Sequence, residues 1–574
     1  MTLLIVNIGT SDISVKIGDY FIPLGFNRNE PGLQKPEPET PEYEIWDQKE
    51  KSIETFSIEE LRLSEAHVSK FRYLTQAILD DYDQWHSRIR ISRILGVLKT
   101  LCQRPDNAIK DDIKVVLIVS DQEEPFPTDT IHAAQIIQRW VERELFAEIP
   151  ENSPKIIFDS SLTKSWTIKF DPRDEDRVFE HYYDLFREIN SDEIVYVSIK
   201  GGTQQMAQAL RAQAIASNTQ AQIFIQPILD VEKILHGAPS DCQQVAYWRY
   251  RKAQTYQLVG KLLNRWDFDG ADVLLEQWDS TLQFLLDRDV ESVAGDSQSL
   301  DAEKKKIVKV RKGLQVAVAY FNLDKRAVES KVKGNRELIE IKKYFREVEN
   351  LYAQCQVYDE LNKISDIIYR LGMFYEASQR LLIKYMDGED YLTNEKDFLL
   401  KIEYTQKNNN DLWNFFLERH RECIDAQGWD RDKNRKFTHE NYRWDTTKYP
   451  HLKLKDRFLK NSFIKALIDN RQNEANDLSL DPWEKLDFWY DARNELVHSV
   501  KGIDRDRLQE VYEKENGEEK GACPPDQLLS TMTQILKEVA KVADSPQKES
   551  LLRVADSYGV YGKLRDWAIA QLNG

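Results

Sequence analysis

Ile194-Val195-Tyr196-Val197-Ser198-Ile199-Lys200-Gly201-Gly202-Thr203-Gln204-Gln205-Met206 is the stretch that decides the fold class. A short β-branched apolar run ends in two glycines, and a helical pattern over 204–216 begins at Thr203, a natural N-cap. The same alternation recurs outward in both directions. Apolar runs at 3–8, 115–120, 156–159 and 223–225 read as strands, and periodic segments at 58–80, 130–146 and 177–189 read as helices. Short apolar strands alternating with amphipathic helices predict a doubly wound, mostly parallel, Rossmann-like α/β sheet over residues 1–250.

In such a sheet, ligands bind outside the carboxyl ends of the strands. Three loops lie there: Gly9-Thr10-Ser11-Asp12, Ser120-Asp121-Gln122-Glu123, and Lys200-Gly201-Gly202-Thr203-Gln204. The third suits a phosphate: glycines allow close backbone approach, a helix start offers free amides, and Lys200 adds charge. In isolation the Gly-Gly pair is equally an ordinary tight turn, and Thr10 and Ser11 are ordinary turn residues. No strand is followed by GxGxxG and no loop carries Gly-Lys-Ser/Thr, so dinucleotide-binding and Walker-type readings have no support. The segment 28–44, rich in Pro and Glu, predicts an exposed loop.

The 574 residues contain 41% hydrophobic and 31% charged residues, a balance that allows a real core and excludes disorder of the whole chain. A net charge of -17 argues against non-specific coating of nucleic acid, which needs many phosphate-neutralising cations. Five dispersed cysteines form no CxxC pair, which points to a reducing cytoplasm and no metal site. No apolar run is long enough to span a membrane, and the N-terminus reads as a buried strand.

Beyond residue 250 the strand signal fades and helical patterns dominate. We expect an all-α region with a helical accessory part at 251–400 and a further domain at 401–574. The segment of chemical interest is 481–499, DPWEKLDFWYDARNELVHS. Asp481 and Pro482 open a helix, Leu486, Trp489, Tyr490, Leu496 and Val497 form an apolar stripe, and Arg493, Asn494 and His498 are its polar set. At ~100° per residue Asn494 and His498 share a face, whereas Arg493 is turned ~140° from His498. Arg493 therefore reaches round the helix, or a second copy of the helix completes the site across a two-fold axis.

These residue types suit RNA cleavage without a metal. A 2′-OH attacks the adjacent phosphorus, His498 moves protons near neutral pH, and the guanidinium of Arg493 stabilises the charged phosphorane. Asn494 orients His498 or hydrogen-bonds a phosphate. Arg-x4-His alone is a weak motif, since Arg62 and His67 share that spacing. Upstream, residues 431–460 hold ten basic residues against four acidic ones, with Trp429, Phe437, Tyr442 and Trp444 interleaved. That composition suits a path for single-stranded RNA and equally a solvated charged face.

GTSD after the first strand, SDQ…DT after a middle strand and KGGTQQM after a later one resemble the CARF sensor domain. The RNELVH helix resembles the HEPN ribonuclease domain. In this order the two resemble the CRISPR-associated CARF–HEPN ribonucleases of type III systems. The resemblance covers roughly residues 1–245 and 400–574. It implies a cytoplasmic homodimer with no cofactor. Its CARF pair would bind cyclic oligoadenylate as allosteric activator, the tetramer favoured and the hexamer next, and its HEPN pair would cut single-stranded RNA to 2′,3′-cyclic phosphate ends. Carried onto this chain, Lys200, Gly201, Gly202, Thr203 and Gln204 would hold ligand phosphates, with Thr10, Ser11, Asp121 and Gln122 lining the same pocket. Arg493, Asn494 and His498 would be catalytic. Some relatives degrade their activator slowly in the CARF pocket, a role open here to Thr10 or Thr203. Two other readings stay open: a nucleotide-sensing binding module without RNase activity, and a ring phosphodiesterase acting only in the N-terminal pocket.

Overall fold

Thr2–Asn7 (β1) is buried along its whole length, as a strand covered on both faces must be. It leads directly into an antiparallel hairpin of Ser14–Ile17 (β2) and Tyr20–Pro23 (β3), to which Ile89–Arg90 (β5) adds a third strand. A two-residue pairing joins Leu33–Gln34 (β4) to Leu229–Asp230 (β10). The main sheet adds Ile113–Ile118 (β6), Ile156–Phe158 (β7), Ile194–Ser198 (β8), Ala221–Pro227 (β9) and Cys242–Val245 (β11), in the order β11-β9-β8-β1-β6-β7. All neighbours are parallel except β11, which runs antiparallel to β9. The computed structural model describes residues 2–25, 33–102, 112–190, 193–217, 219, 221–287, 297–342, 347–393, 399–426, 451–454, 457–471, 477–498, 503–554 and 558–573.

The mostly parallel α/β sheet expected from the sequence is therefore present. One of its faces packs on helices Glu175–Glu188 and Gln204–Ala216, with Leu3, Ile5, Val116, Ile118, Val195 and Val197 in that core. The alternate residues Leu4, Val6, Val115 and Leu117 are buried as well, which makes the sheet doubly covered. The periodic segment 58–80 is not one helix. A π-helical turn at Phe56–Glu60 precedes a break, where Arg62 and Ser69 take positive φ, and Phe71–Asp80 resumes as α-helix. Within the expected loop 28–44, residues 26–32 lie outside the described residues, β4 pairs with β10, and a helix Pro41–Asp47 starts at the N-cap Thr40.

The chain forms two compact units: Met1–Val259 with Val273–Val308, and Gly260–Asp272 with Lys309–Gly574. Residues 251–400 are thus shared between them. The second unit is built around helix Ile364–Tyr385, which packs against helices Glu347–Glu360, Arg457–Asn470, Asp481–His498 and Leu528–Lys541. Leu371, Phe374, Tyr375, Leu382, Phe463, Trp483, Leu486 and Trp489 form its centre. It is not entirely helical: Leu399–Lys401 (β12) and His451–Lys453 (β13) make a short antiparallel ladder. Strands of three residues are too short to show a period of two, so the sequence pattern could not report them. Among the described residues no helix is long and apolar enough to cross a membrane. Cys102, Cys242, Cys355 and Cys523 are free, and the side chain of Cys423 lies outside the described residues.

Candidate functional site

The central strand β1 has β6 on one side and β8 on the other, so the loops after these three strands emerge side by side at one sheet edge. The chain goes from β1 to β6 and β7 on one side and crosses to β8 and β9 on the other, which marks this edge as the topological switch point.

Two of the three loops touch through their backbones. A Cβ added to Gly9 would lie 2.9 Å from the Gly202 nitrogen, closer than real side chains approach, and a tight 3.1 Å from the Gly201 Cα. Gly201 and Gly202 have φ of 96° and 70°, conformations that L side chains rarely adopt. The first loop closes on itself: the Gly9 N–H donates to Asp12 Oδ2 at 2.6 Å. Asp12 is fully buried and meets Arg93, which is 4% exposed and projects from helix Ser92–Cys102. Arg93 donates through Nε and Nη2 to the two Asp12 carboxylate oxygens, through Nη2 to the Asn7 carbonyl at 2.8 Å, and through Nη1 to the Lys200 carbonyl. One guanidinium thus ties the GTSD loop, the end of β1 and the start of the GGT loop together.

The sequence reading missed Arg93. Its signal was a charge flanked by apolar residues inside a largely apolar helix, ISRILGVLK at 91–99, since a buried cation needs a partner. Tyr182 was missed as well. Its hydroxyl donates to Asn7 Oδ1 at 2.5 Å, and burial pushes the phenol well above its usual range.

Thr203 caps helix Gln204–Ala216 as expected, accepting the Met206 N–H at 3.2 Å, and its hydroxyl donates to the Pro172 carbonyl at 2.6 Å. With both functions engaged, this hydroxyl is a structural clamp on the loop. Thr10 packs against Gly25, where a Cβ would approach its Oγ1 to 2.6 Å. Ser11 lines a cavity of about 20 Å³ shared with Arg93 and Trp46, room for a single water. Gly202 and Gln204 are exposed, and Lys200 and Gly201 are half-buried.

Asp121 and Gln122 emerge at the same edge, but their side chains serve their own loop. Asp121 accepts Arg72 Nη1 at 2.9 Å and Lys169 Nζ at 2.5 Å. Burial would raise its pKa, but the hydrogen bonds from Lys169 and Arg72 outweigh it and hold the carboxyl below its usual value. Gln122 donates from Nε2 to Asp129 Oδ1 at 3.1 Å, and Asp129 also takes Arg72 and the Phe126 N–H. The pocket edge brings Thr10, Ser11, Lys200, Gly201, Gly202 and Thr203 together, and leaves Asp121 and Gln122 tied to Arg72, Lys169 and Asp129.

In the second unit the RNELVH segment is helical to its end, within Asp481–His498. Leu486, Trp489 and Leu496 are buried and Tyr490 is half-buried, as the stripe requires. Trp483 is buried too and donates to Ser378 Oγ at 2.9 Å. The half-buried Arg493 places its guanidinium 4.9 Å from the Tyr490 ring centre and over Gly372 of the central helix. A Cβ on Gly372 would overlap Arg493 Nη1, so that glycine is a notch for the guanidinium. The side chains of Asn494, Val497 and His498 lie outside the described residues.

Asp487, Asp491, Asn494 and His498 follow at spacings of four, three and four, and so occupy one helix face. Arg457 of helix Arg457–Asn470 grips that face, donating from Nη1 and Nη2 to the two Asp491 oxygens at 2.5 Å each. Tyr375 donates to Asp487 Oδ1 at 2.5 Å. Burial raises the Asp487 carboxyl above its usual value, with Arg457 opposing. Arg457 and Lys460, counted above in a basic RNA path, are 9% and 4% exposed. They are internal cations: Arg457 serves Asp491, and Lys460 lies 3.9 Å from Glu376. Residues 427–450, most of that basic stretch with Trp429, Phe437, Tyr442 and Trp444, lie outside the described residues. Among the described residues no group of three or more His, Cys, Asp or Glu is placed to hold a metal ion.

No family model matches the sequence, and no curated protein matches it. Among solved structures the chain is similar to Enterococcus italicus Csm6 bound to cyclic hexa-2′-fluoro-hexa-dAMP, with a TM-score of 0.46 and 13% identity over 99% of each chain.

Proposed function

We propose that this chain is a CARF–HEPN type endoribonuclease that cuts single-stranded RNA under the control of a cyclic oligoadenylate, acting as a cytoplasmic homodimer in antiviral defence. The observation that carries the reading is the glycine floor at the sheet edge. Gly9, Gly201 and Gly202 meet backbone to backbone beside a helix start, and Arg93 holds the two loops rigid. Such a floor lets phosphates approach main-chain amides without side chains in the way. The RNELVH helix in the second unit, with Arg493 seated on Gly372 and Tyr490, supports the nuclease half.

In this reading the ribose 2′-OH attacks phosphorus, and the bond from phosphorus to the 5′-oxygen breaks. His498 takes the 2′-OH proton and, as the imidazolium so formed, gives it to the leaving 5′-oxygen, leaving a 2′,3′-cyclic phosphate and a 5′-OH. Arg493 balances the charge on the phosphorane. Activator bound at the sheet edge favours the arrangement of the dimer in which two such helices form one cleft.

The test is cleavage of a fluorophore-quencher RNA in EDTA, with and without cyclic tri-, tetra-, penta- and hexaadenylate. One ring is expected to raise the rate at least tenfold, and His498→Ala and Arg493→Ala to abolish cleavage while still binding that ring. Equal rates with and without every ring remove the sensor claim, and wild-type cutting by His498→Ala removes the nuclease assignment.

A further inference from the structure

A second cleft lies in the first unit, away from the carboxyl edge of the sheet. Helices Trp248–Asn264 and Phe268–Asp287 are joined by residues 265–267, and residues 251, 254, 255 and 258 of the first line a cleft with residues 274, 277, 278 and 281 of the second. Both sets follow the i, i+3, i+4, i+7 pattern of a packing seam. Seam positions are normally apolar and closed, yet here they carry Arg251, Gln254 and Gln277 among the apolar Leu258, Leu274 and Trp278. They enclose about 410 Å³, within the usual range of small-ligand pockets.

Two groups in this cleft are incompletely satisfied. Arg251 donates from Nη1 to the Thr219 carbonyl at 2.8 Å, and among the described residues no carboxylate pairs with it. Trp278 is 3% exposed, and its indole N–H has no acceptor among the described residues. A half-buried cation without a counter-ion and a buried donor without an acceptor both cost stability unless something completes them. The carboxyl end of helix Gln204–Ala216 forms the third wall. Its Ala214 carbonyl is already taken by Ser217 Oγ and Gln222 Nε2. Burial also draws the Arg251 guanidinium below its usual value, as expected for a cation awaiting an anion.

We propose that this cleft binds a mononucleotide-sized phosphate ester, with the phosphate on Arg251, the planar head against Trp278, and its edge read by Gln254 and Gln277. A guanidinium matches phosphate geometry through two parallel N–H bonds, and carboxamides offer both a donor and an acceptor to a base edge. The site is separate from the sheet-edge pocket and does not depend on the activity proposed above.

The test is calorimetric titration of the full chain with AMP, and in parallel with inorganic phosphate, alongside thermal melts. AMP is expected to bind and to raise Tm, and phosphate alone to bind more weakly. Arg251→Gln should weaken AMP binding at least about tenfold and Trp278→Phe, which keeps a ring and loses the N–H, about threefold or more. Without ligand, Arg251→Gln should melt no lower than wild type, because it removes an uncompensated charge. If that variant does not fold, Arg251→Lys keeps the charge, loses the fork, and should bind severalfold more weakly. Absence of both heat and Tm shift at about 10 mM AMP overturns the proposal. So does equal affinity in Arg251→Gln, or an affinity lost in Lys200→Ala and kept in Arg251→Gln, which would move AMP to the sheet edge.

Discussion

Replacing Arg93 with methionine keeps side-chain length and removes the guanidinium that joins the two glycine loops. Four hydrogen bonds disappear: two to Asp12, one to the Asn7 carbonyl and one to the Lys200 carbonyl. Asp12 is left fully buried, with only the Gly9 N–H in support among the described residues. Breaking a buried ion pair by removing one partner costs about 3–5 kcal/mol, and two carbonyls losing a charged donor add about 1 kcal/mol each. The total, about 5–7 kcal/mol, is comparable to the whole stability of many domains. Urea unfolding followed by near-ultraviolet circular dichroism measures it, read from the transition that the substitution moves. Arg93→Met should lower that midpoint steeply. Adding Asp12→Asn should restore about 2 kcal/mol or more, because the uncompensated charge is then gone. A loss below about 1 kcal/mol in Arg93→Met, or strictly additive effects in the double variant, would refute the clamp.

Gly201→Ala places a methyl group on the Asn7 carbonyl at a φ of 96° and should cost about 2–3 kcal/mol and weaken activator binding. Gly18→Ala, at a φ of 61° with open space around it, should cost only about 1 kcal/mol; equal urea midpoints for the two would deny the close contact. Gly372→Ala improves helix propensity by about 1 kcal/mol yet fills the Arg493 notch. RNA cleavage should fall about tenfold with circular dichroism unchanged, and undiminished cleavage would show that the seat of Arg493 is irrelevant. Burial holds the His181 imidazole below its usual value near 6.5, against the opposing hydrogen bond with the Trp166 carbonyl. The unfolded chain therefore takes up this proton first, so the stability is present above about pH 6.5 and is lost as pH falls from there towards the lower folded value. The urea midpoint should drop less between pH 7.5 and 5.5 in His181→Gln than in wild type, and parallel slopes would remove this residue from the acid response.

The strands were legible because parallel strands covered on both faces are continuous apolar runs, and 194–199 against the observed Ile194–Ser198 shows how closely. The edge strand β11 was not, since Cys242-Gln243-Gln244-Val245 is largely polar and pairs on one side only. Arg336–Lys342 and Glu347–Glu360 are both helical, in keeping with the periodic pattern of 336–361, and 343–346 lie outside the described residues. At the sheet edge the loops were found and the clamp was not. Arg93 and Arg72 lie 81 and 49 residues from the Asp12 and Asp121 they hold, and no local pattern encodes a partner chosen by the fold. The basic stretch failed in the opposite direction. Composition counts Arg457 and Lys460 as surface charge, and only the packing of helix Arg457–Asn470 on Asp481–His498 shows them spent on Asp491 and beside Glu376.

The two units are interleaved along the backbone, because 260–272 belongs with the later residues and 273–308 returns to the earlier ones. Glu303, on the returning stretch, takes Lys252 at 2.7 Å and the Tyr256 hydroxyl. A shortened gene product stopping near residue 250 would therefore leave out the last wall of the lobe it was meant to isolate. Dissection by a single protease nick cannot yield either half whole. Studying either unit apart from the other calls for point substitutions or for splicing 273–308 back onto a trimmed first half.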